Sequence, residues 1–292
     1  MNKKIILITG TSSGFGLLTA ARLAASGHHV FATMRDLNKK DALLAEVKER
    51  GGTVQLLELD VTKPDTIRSV VDQMIRQCGT IDCLVNNAGY GIGGFFEDLC
   101  DDEIRQQFEV NFFGVQNVTR AVIPIMRERH RGKIINISSI AGIHASPAFS
   151  AYNASKWALE ASSESLHYEM KFFGIDVLLI EPGTYPTKIF YDNARYAKNF
   201  FNPQSPYYPL SKFLAQNVRH YVDHCRKDPE TIARLVEKLI NARNPAFRNI
   251  PDQEARMLYY LRKVIPFRMY SWLVRKMLFR DFVWIIKYPR FS

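Results

Sequence analysis

Ser139, Tyr152 and Lys156 are of the types, and at the spacing, that can move a proton. Lys156 follows Tyr152 by four positions within Tyr152-Asn153-Ala154-Ser155-Lys156, so on a helix the two side chains share one face. A phenol with a pKa of about 10 is a poor base at neutral pH. A neighbouring ammonium, helped by a positively charged nicotinamide, favours the phenolate and is expected to bring that pKa toward the working range. Ser139, just past an apolar run, is placed to hold a substrate oxygen while the proton is exchanged. A helix that happens to bear Tyr and Lys on its surface is the plain alternative, and other parts of the chain must decide between them.

Near the N-terminus, Thr9-Gly10-Thr11-Ser12-Ser13-Gly14-Phe15-Gly16 follows an apolar run and opens a helical pattern. Glycines there let backbone N–H groups and the positive end of a helix dipole approach a pyrophosphate. Gly10, Ser12, Ser13, Gly14, Phe15 and Gly16 are therefore expected to hold a dinucleotide. Next, Ala32-Thr33-Met34-Arg35-Asp36 ends a second apolar run. Arg35 is placed for a charge-assisted contact with the 2′-phosphate of NADP, whereas Asp36 keeps NAD open or caps the next helix. NADP(H) is the expected preference. Asp60 and Val61 offer a carboxylate and an amide at the level of an adenine ring. Asn87, Ala88 and Gly89 are small residues that permit close cofactor approach. Ordinary turn chemistry could account for either group.

The elements that must position these residues alternate in type. Apolar, β-branched runs at 5–9, 29–33, 53–58, 83–86, 133–138 and 176–180 predict strands, and helical periodicity predicts helices over 15–26, 38–50, 65–77, 101–128 and 152–173. Strands apolar on successive positions are buried on both faces, which makes the fold α/β: one doubly wound parallel sheet of Rossmann type with helices above and below. Residues 1–255 form the catalytic domain, with an aromatic, proline-broken loop at about 184–228 as a lid, and 256–292 are a helical extension of the same domain. The aromatics Phe149, Tyr185, Phe190, Tyr191, Phe200 and Phe201 are expected to line an apolar substrate pocket.

The net charge is +10, but from Arg256 onward nine Lys or Arg face the single acid Asp281, so the body before it is nearly neutral. That distribution does not call for nucleic acid. Ten of those 37 residues are aromatic, and Met269, Trp272, Leu273 and Met277 fall on one helical face with Arg268, Arg275, Lys276 and Arg280 close by. Packing over the cleft or a subunit is the favoured reading, with a membrane interface the competing one. No apolar stretch approaches the ~20 residues of a membrane-spanning helix. Cys78, Cys83, Cys100 and Cys225 lack metal-site spacing and read as free thiols in a reducing, cytoplasmic setting. His220 and His224, four apart, read as surface or core residues, and no metal is called for.

Taken together, Thr9 to Gly16, Asp60, Asn86 to Gly89, Asn111, Ser139, Tyr152, Lys156, Pro182-Gly183 and Thr187 make the chain resemble the short-chain dehydrogenase/reductase family over residues 3–190. Its look is nearest the branch containing estradiol 17-beta-dehydrogenase and retinol dehydrogenases. The resemblance implies that Asn111 helps hold a water linking Lys156 to solvent. It also implies that Pro182, Gly183 and Thr187 contact the nicotinamide end of the cofactor. It implies a homodimer or homotetramer built on the helices at 101–128 and 152–173. The resulting expectation is an NADP(H)-dependent oxidoreductase interconverting an alcohol and a carbonyl on a small hydrophobic substrate, steroid-, retinoid-, lipid- or polyketide-like. A dinucleotide-binding sensor, or an epimerase or dehydratase of the same fold, are the alternatives.

Overall fold

A computed structural model describes residues 3–276. Along the chain run β1 (Ile5–Ile8), α1 (Gly14–Ala25), β2 (His29–Met34), α2 (Asp41–Glu49), β3 (Val54–Glu58), α3 (Pro64–Cys78), β4 (Cys83–Asn86), β5 (Ile92–Gly93) and α4 (Asp101–Phe108). Then follow α5 (Gly114–Glu128), β6 (Gly132–Ile137), α6 (Ser150–Lys171), β7 (Ile175–Ile180), β8 (Arg195–Tyr196), α7 (Tyr208–Asp223), α8 (Glu230–Asn241), β9 (Arg248–Asn249) and α9 (Gln253–Val264). Among the described residues a further helix, α10, covers 267–276.

Seven strands pair in parallel in the order β3-β2-β1-β4-β6-β7-β9. Alternate side chains serve opposite layers, as strand geometry demands. Ile6 and Ile8 pack with Ala20, Leu43 and Val236 from α1, α2 and α8, while Leu7 packs with Val70, Val118 and Met170 from α3, α5 and α6. The strand order reverses between β1 and β4, which leaves a crevice beyond their carboxyl ends, the place where open α/β sheets bind ligands. The six expected strands occupy their places, and the doubly wound parallel class is the observed one.

Three features depart from the expected elements. The single helix expected over 101–128 is interrupted at Glu109–Phe113, where the Gly114 N–H reaches back to the Glu109 carbonyl in a wide π-type turn. Such turns insert one residue into the ladder and re-aim a side chain; here Asn111 is turned into the buried interior. The stretch expected as loop at 184–228 contains α7, whose Ser211, Leu214 and Val222 are buried. Past it, α8 buries Ile232, Ala233, Val236, Leu239 and Ile240, and β9 adds a seventh strand beside β7. A third apolar cluster joins Ile92, Phe95, Leu99, Ala148, Phe200 and Leu214, and so seats the segment 184–228 on the body next to α6.

Candidate active site

The Gly10–Gly16 turn connects β1 to α1. Gly10 adopts φ +71°, and a Cβ there would stand 2.7 Å from the Ala88 Cα, so only glycine lets the turn pass the end of β4. At Gly16 a Cβ would come within 2.3 Å of the Gly10 carbonyl oxygen and of the Asn87 amide, which itself donates to the Thr9 and Gly10 carbonyls at 2.9 and 2.8 Å. Gly14 is different: its nearest non-local neighbour is Thr187 at 3.7 Å, across open space. No side chain caps α1 and no acid stands in its first turn, so its N-terminal N–H groups and positive dipole end face that space. The turn fits a pyrophosphate.

Across the sheet, α6 begins at Ser150 and carries Tyr152 and Lys156 one turn apart. Lys156 is buried; its Nζ donates to the Ile137 carbonyl at 2.8 Å and lies 5.9 Å from the centre of the Tyr152 ring. Burial drives the ammonium down to about 8, with Glu160 opposing. Burial pushes the Tyr152 phenol up, and the Ser139 side chain opposes this in part by favouring the ionised form. The protein by itself therefore keeps Tyr152 protonated, and the expected acidification rests on the charge of a bound nicotinamide beside Lys156.

Asn111 bridges two parts of the site. Its amide donates to the Tyr90 carbonyl at 2.8 Å and to Ser155 Oγ at 3.2 Å, and its oxygen accepts from the Tyr90 N–H at 3.1 Å. Beneath, Asn86 donates to Asn136 at 2.9 Å and to Thr119 at 3.0 Å, and Asn136 donates to Ser163 at 2.8 Å. This buried ladder joins β4, β6, α5 and α6 and sets the depth at which α6 presents Tyr152. Apolar pattern alone gave no sign of it.

The two halves open into one cleft of about 520 Å³, lined by Gly10, Ser12, Ser13, Gly14, Phe15, Arg35, Asp60, Val61, Asn87, Ala88, Gly89, Tyr152, Lys156 and Thr187 among the expected residues. The family model for short chain dehydrogenase matches residues 4–196. A 3-ketodihydrosphingosine reductase of Bacteroides thetaiotaomicron is 37% identical over 95% of this chain and 96% of its own length. Retinol dehydrogenase 8 of Bos taurus is 31% identical over 90% and 86%. A short chain dehydrogenase/reductase from Burkholderia phymatum, solved in complex with NAD, superposes with a TM-score of 0.78 at 25% identity, covering 90% of this chain and 93% of that one. The chain belongs to the short-chain dehydrogenase/reductase family. It is accordingly an oxidoreductase of the nicotinamide-dinucleotide-dependent class.

Several expected residues of this short-chain dehydrogenase/reductase stand back from the cleft. Gly16 lies beneath the turn, Ser139 is not among the lining residues, and the Asn111 side chain is bonded to Tyr90 and Ser155. Pro182 and Gly183 do not line it either. The Pro182 carbonyl accepts from the Ile140 N–H, and the Gly183 N–H donates to Asp252 at 2.9 Å, so both brace the loops after β6 and β7. None of Phe149, Tyr185, Phe190, Tyr191, Phe200 and Phe201 is among the lining residues. Tyr185 is buried edge-on against Phe15, and Phe200 belongs to the third apolar cluster, because large rings close to a core are more stably buried than left facing a wet cleft.

Residues missed by motif come from the segment after β7: Ile189, Asp192, Asn193, Ala194 and Arg195 line the cleft, as does Tyr90. The Arg195 guanidinium stacks 4.5 Å over the Tyr90 ring, β8 pairs with β5, and the Asn193 amide reaches Ser13 Oγ at 3.3 Å. At the far end Lys39 joins Arg35 in the lining, both exposed and, among the described residues, without an ion pair. Asp36 instead turns its carboxylate onto the Asn38 N–H at 3.0 Å and caps the 3-10 turn Leu37–Lys39.

Proposed function

We propose that this protein reduces a ketone or aldehyde on an apolar substrate with NADPH, and catalyses the reverse oxidation with NADP, Tyr152 being the proton donor and acceptor. The observation that carries the reading is the opening of Tyr152, Lys156 and the glycine turn into the same cleft. A nicotinamide bound there supplies or takes the hydride.

The chain's own groups do the rest. Gly10, Ser12, Ser13, Gly14 and Phe15 hold the pyrophosphate on free N–H groups. Asp60 and Val61 flank the adenine; Asn87, Ala88 and Gly89 allow close approach; Thr187 secures the nicotinamide end. Ser139 orients the substrate oxygen toward the Tyr152 hydroxyl, which gives its proton to that oxygen in the reductive direction. Lys156 stabilises the phenolate left behind, and the proton is restored past Lys156 through solvent held by Asn111. Arg35 and Lys39 select the 2′-phosphate of NADP, since the neighbouring Asp36 is occupied with its cap.

An apolar substrate is supported by Tyr90, which belongs both to the cleft lining and to the lid's apolar cluster, and by relatives named for a keto-sphingoid and for retinol. Homo-oligomerisation through α5 and α6 is supported by Trp157 and Phe172, which stand exposed on and just past α6. The decisive experiment is Tyr152→Phe. Turnover of apolar ketones should fall about 10²–10⁴-fold while NADPH binding, followed by fluorescence, is retained. Unchanged turnover would remove Tyr152 from the reaction and leave a cofactor sensor as the better reading.

A further inference from the structure

The C-terminal helices present a surface that the reaction does not use. On α9, Tyr260 is 58% exposed and Val264 80%; on α10, Phe267 is 66% and Trp272 58% exposed, with Met257, Met269 and Leu273 also outward. Rings this large are usually covered in a soluble chain. The helices are not loosely held. Asp252 caps α9 through the Ala255 N–H at 3.0 Å and at the same time accepts from Gly183 and Lys227, and Tyr270 is buried against His144.

Charge on the same surface is one-sided. Between 253 and 276 stand Arg256, Arg262, Lys263, Arg268, Arg275 and Lys276 against the single acid Glu254, which already binds Lys227 at 2.7 Å. Among the described residues none of the six cations has a carboxylate partner. Instead Lys263 lies 4.4 Å over Tyr259, Lys276 4.9 Å over Trp272, and Arg262 5.1 Å over Phe267. Exposed aromatic and aliphatic groups interleaved with unpaired cations match the level of lipid headgroups, where rings sit among glycerol and carbonyl groups and cations meet anionic phosphates. A second copy of the chain would bring like charges together on this face, so self-association does not satisfy it.

We infer that α9 and α10 dock this protein onto an anionic lipid bilayer, with Phe267 and Trp272 inserted at headgroup depth. The inference is independent of the reaction assigned to the cleft. Because α10 also holds His144 in the turn after Ser139, a docked molecule has the catalytic loop close to the bilayer surface.

Co-sedimentation of the full chain with vesicles tests this directly. Vesicles containing roughly 30 mol % phosphatidylglycerol should retain it at least about tenfold more strongly than phosphatidylcholine alone, and raised salt should weaken the retention, each cation contributing roughly fivefold. Trp272→Glu and Phe267→Glu should each lower retention about tenfold or more. The double variant Arg268→Glu/Arg275→Glu should abolish the preference for anionic vesicles. Turnover of a water-soluble carbonyl without vesicles should stay unchanged in all three. Equal retention on both vesicle types, no retention, or wild-type retention of the variants would overturn the inference. A lower sedimentation mass for Trp272→Glu in lipid-free buffer would also overturn it, by giving the face to a second subunit.

Discussion

The Tyr270 hydroxyl meets Nδ1 of His144 in a buried contact between α10 and the turn that starts at Ser139. Burial, helped by the Arg262 guanidinium, holds the imidazole below its ordinary pKa, so the folded protein keeps His144 neutral. A lowered folded pKa means the unfolded chain binds more protons as pH falls. The stability from this contact is complete above about pH 6.5 and is lost on acidification below it. Tyr270→Phe should cost about 1–3 kcal/mol at pH 7 by leaving a buried nitrogen unpaired. The cost should shrink toward pH 5 in thermal unfolding; a cost that is constant across that range would show that His144 does not titrate in the contact.

Glu181 gives the opposite slope. It is fully buried at the end of β7 and shares the Arg248 guanidinium with Glu160, while Arg248 also reaches Glu164 at 3.1 Å. Burial, and then the Glu160 carboxylate, hold Glu181 well above the usual carboxylate range. Its stabilising effect is thus full at pH values below its ordinary pKa and is lost as pH rises through the folded value. Glu181→Gln, which keeps the shape and stays neutral, should be more stable than the parent by roughly 1–3 kcal/mol at about pH 8 and should lose that margin near pH 5. Parallel stability curves for the two proteins from pH 5 to about pH 8 would sink the assignment.

What the sequence made legible follows from physics that acts locally. The six strands and the glycine turn are short-range signals: apolar runs buried on both faces, and backbone angles only glycine adopts freely, as at Gly10. Tyr152 and Lys156 were readable because a helix converts a spacing of four into adjacency. The environment of these groups was not readable. Whether Lys156 acidifies Tyr152 depends on burial and on the Ile137 carbonyl, and both are tertiary. The turn at Asn111 and the Asn86–Asn136–Ser163 ladder need partners 21 or more residues away. The cleft residues Asp192 to Arg195 follow no motif, and their placement comes from the pairing of β8 with β5.

Ser139 should leave its mark on the pH profile. Its hydroxyl favours the Tyr152 phenolate against burial, so Ser139→Ala removes a lowering influence and the phenol should titrate at higher pH. In the oxidative direction, which needs the phenolate, the alkaline rise of kcat should move upward and kcat at neutral pH should fall about tenfold or more. In the reductive direction the fall of rate at high pH should move upward as well. An unshifted profile with only KM raised would assign Ser139 to substrate binding alone.

The glycine turn separates strain from collision. Gly27, after α1, has φ +82° with nothing within 4 Å of a Cβ, so Gly27→Ala pays only for the left-handed backbone, about 1 kcal/mol. Gly16→Ala has no such backbone penalty, yet its methyl would sit 2.3 Å from both the Gly10 oxygen and the Asn87 amide. Neither atom can yield independently, since the Asn87 amide is held by the Thr9 and Gly10 carbonyls. The turn must therefore shift as a unit and carry the α1 N-terminus with it. Gly16→Ala should weaken NADPH binding at least about tenfold, because the N–H groups that meet the pyrophosphate lose their aim. Gly27→Ala should lower the melting temperature slightly and leave NADPH affinity intact. If titration finds both variants binding as the parent does, the pyrophosphate does not rest on this turn.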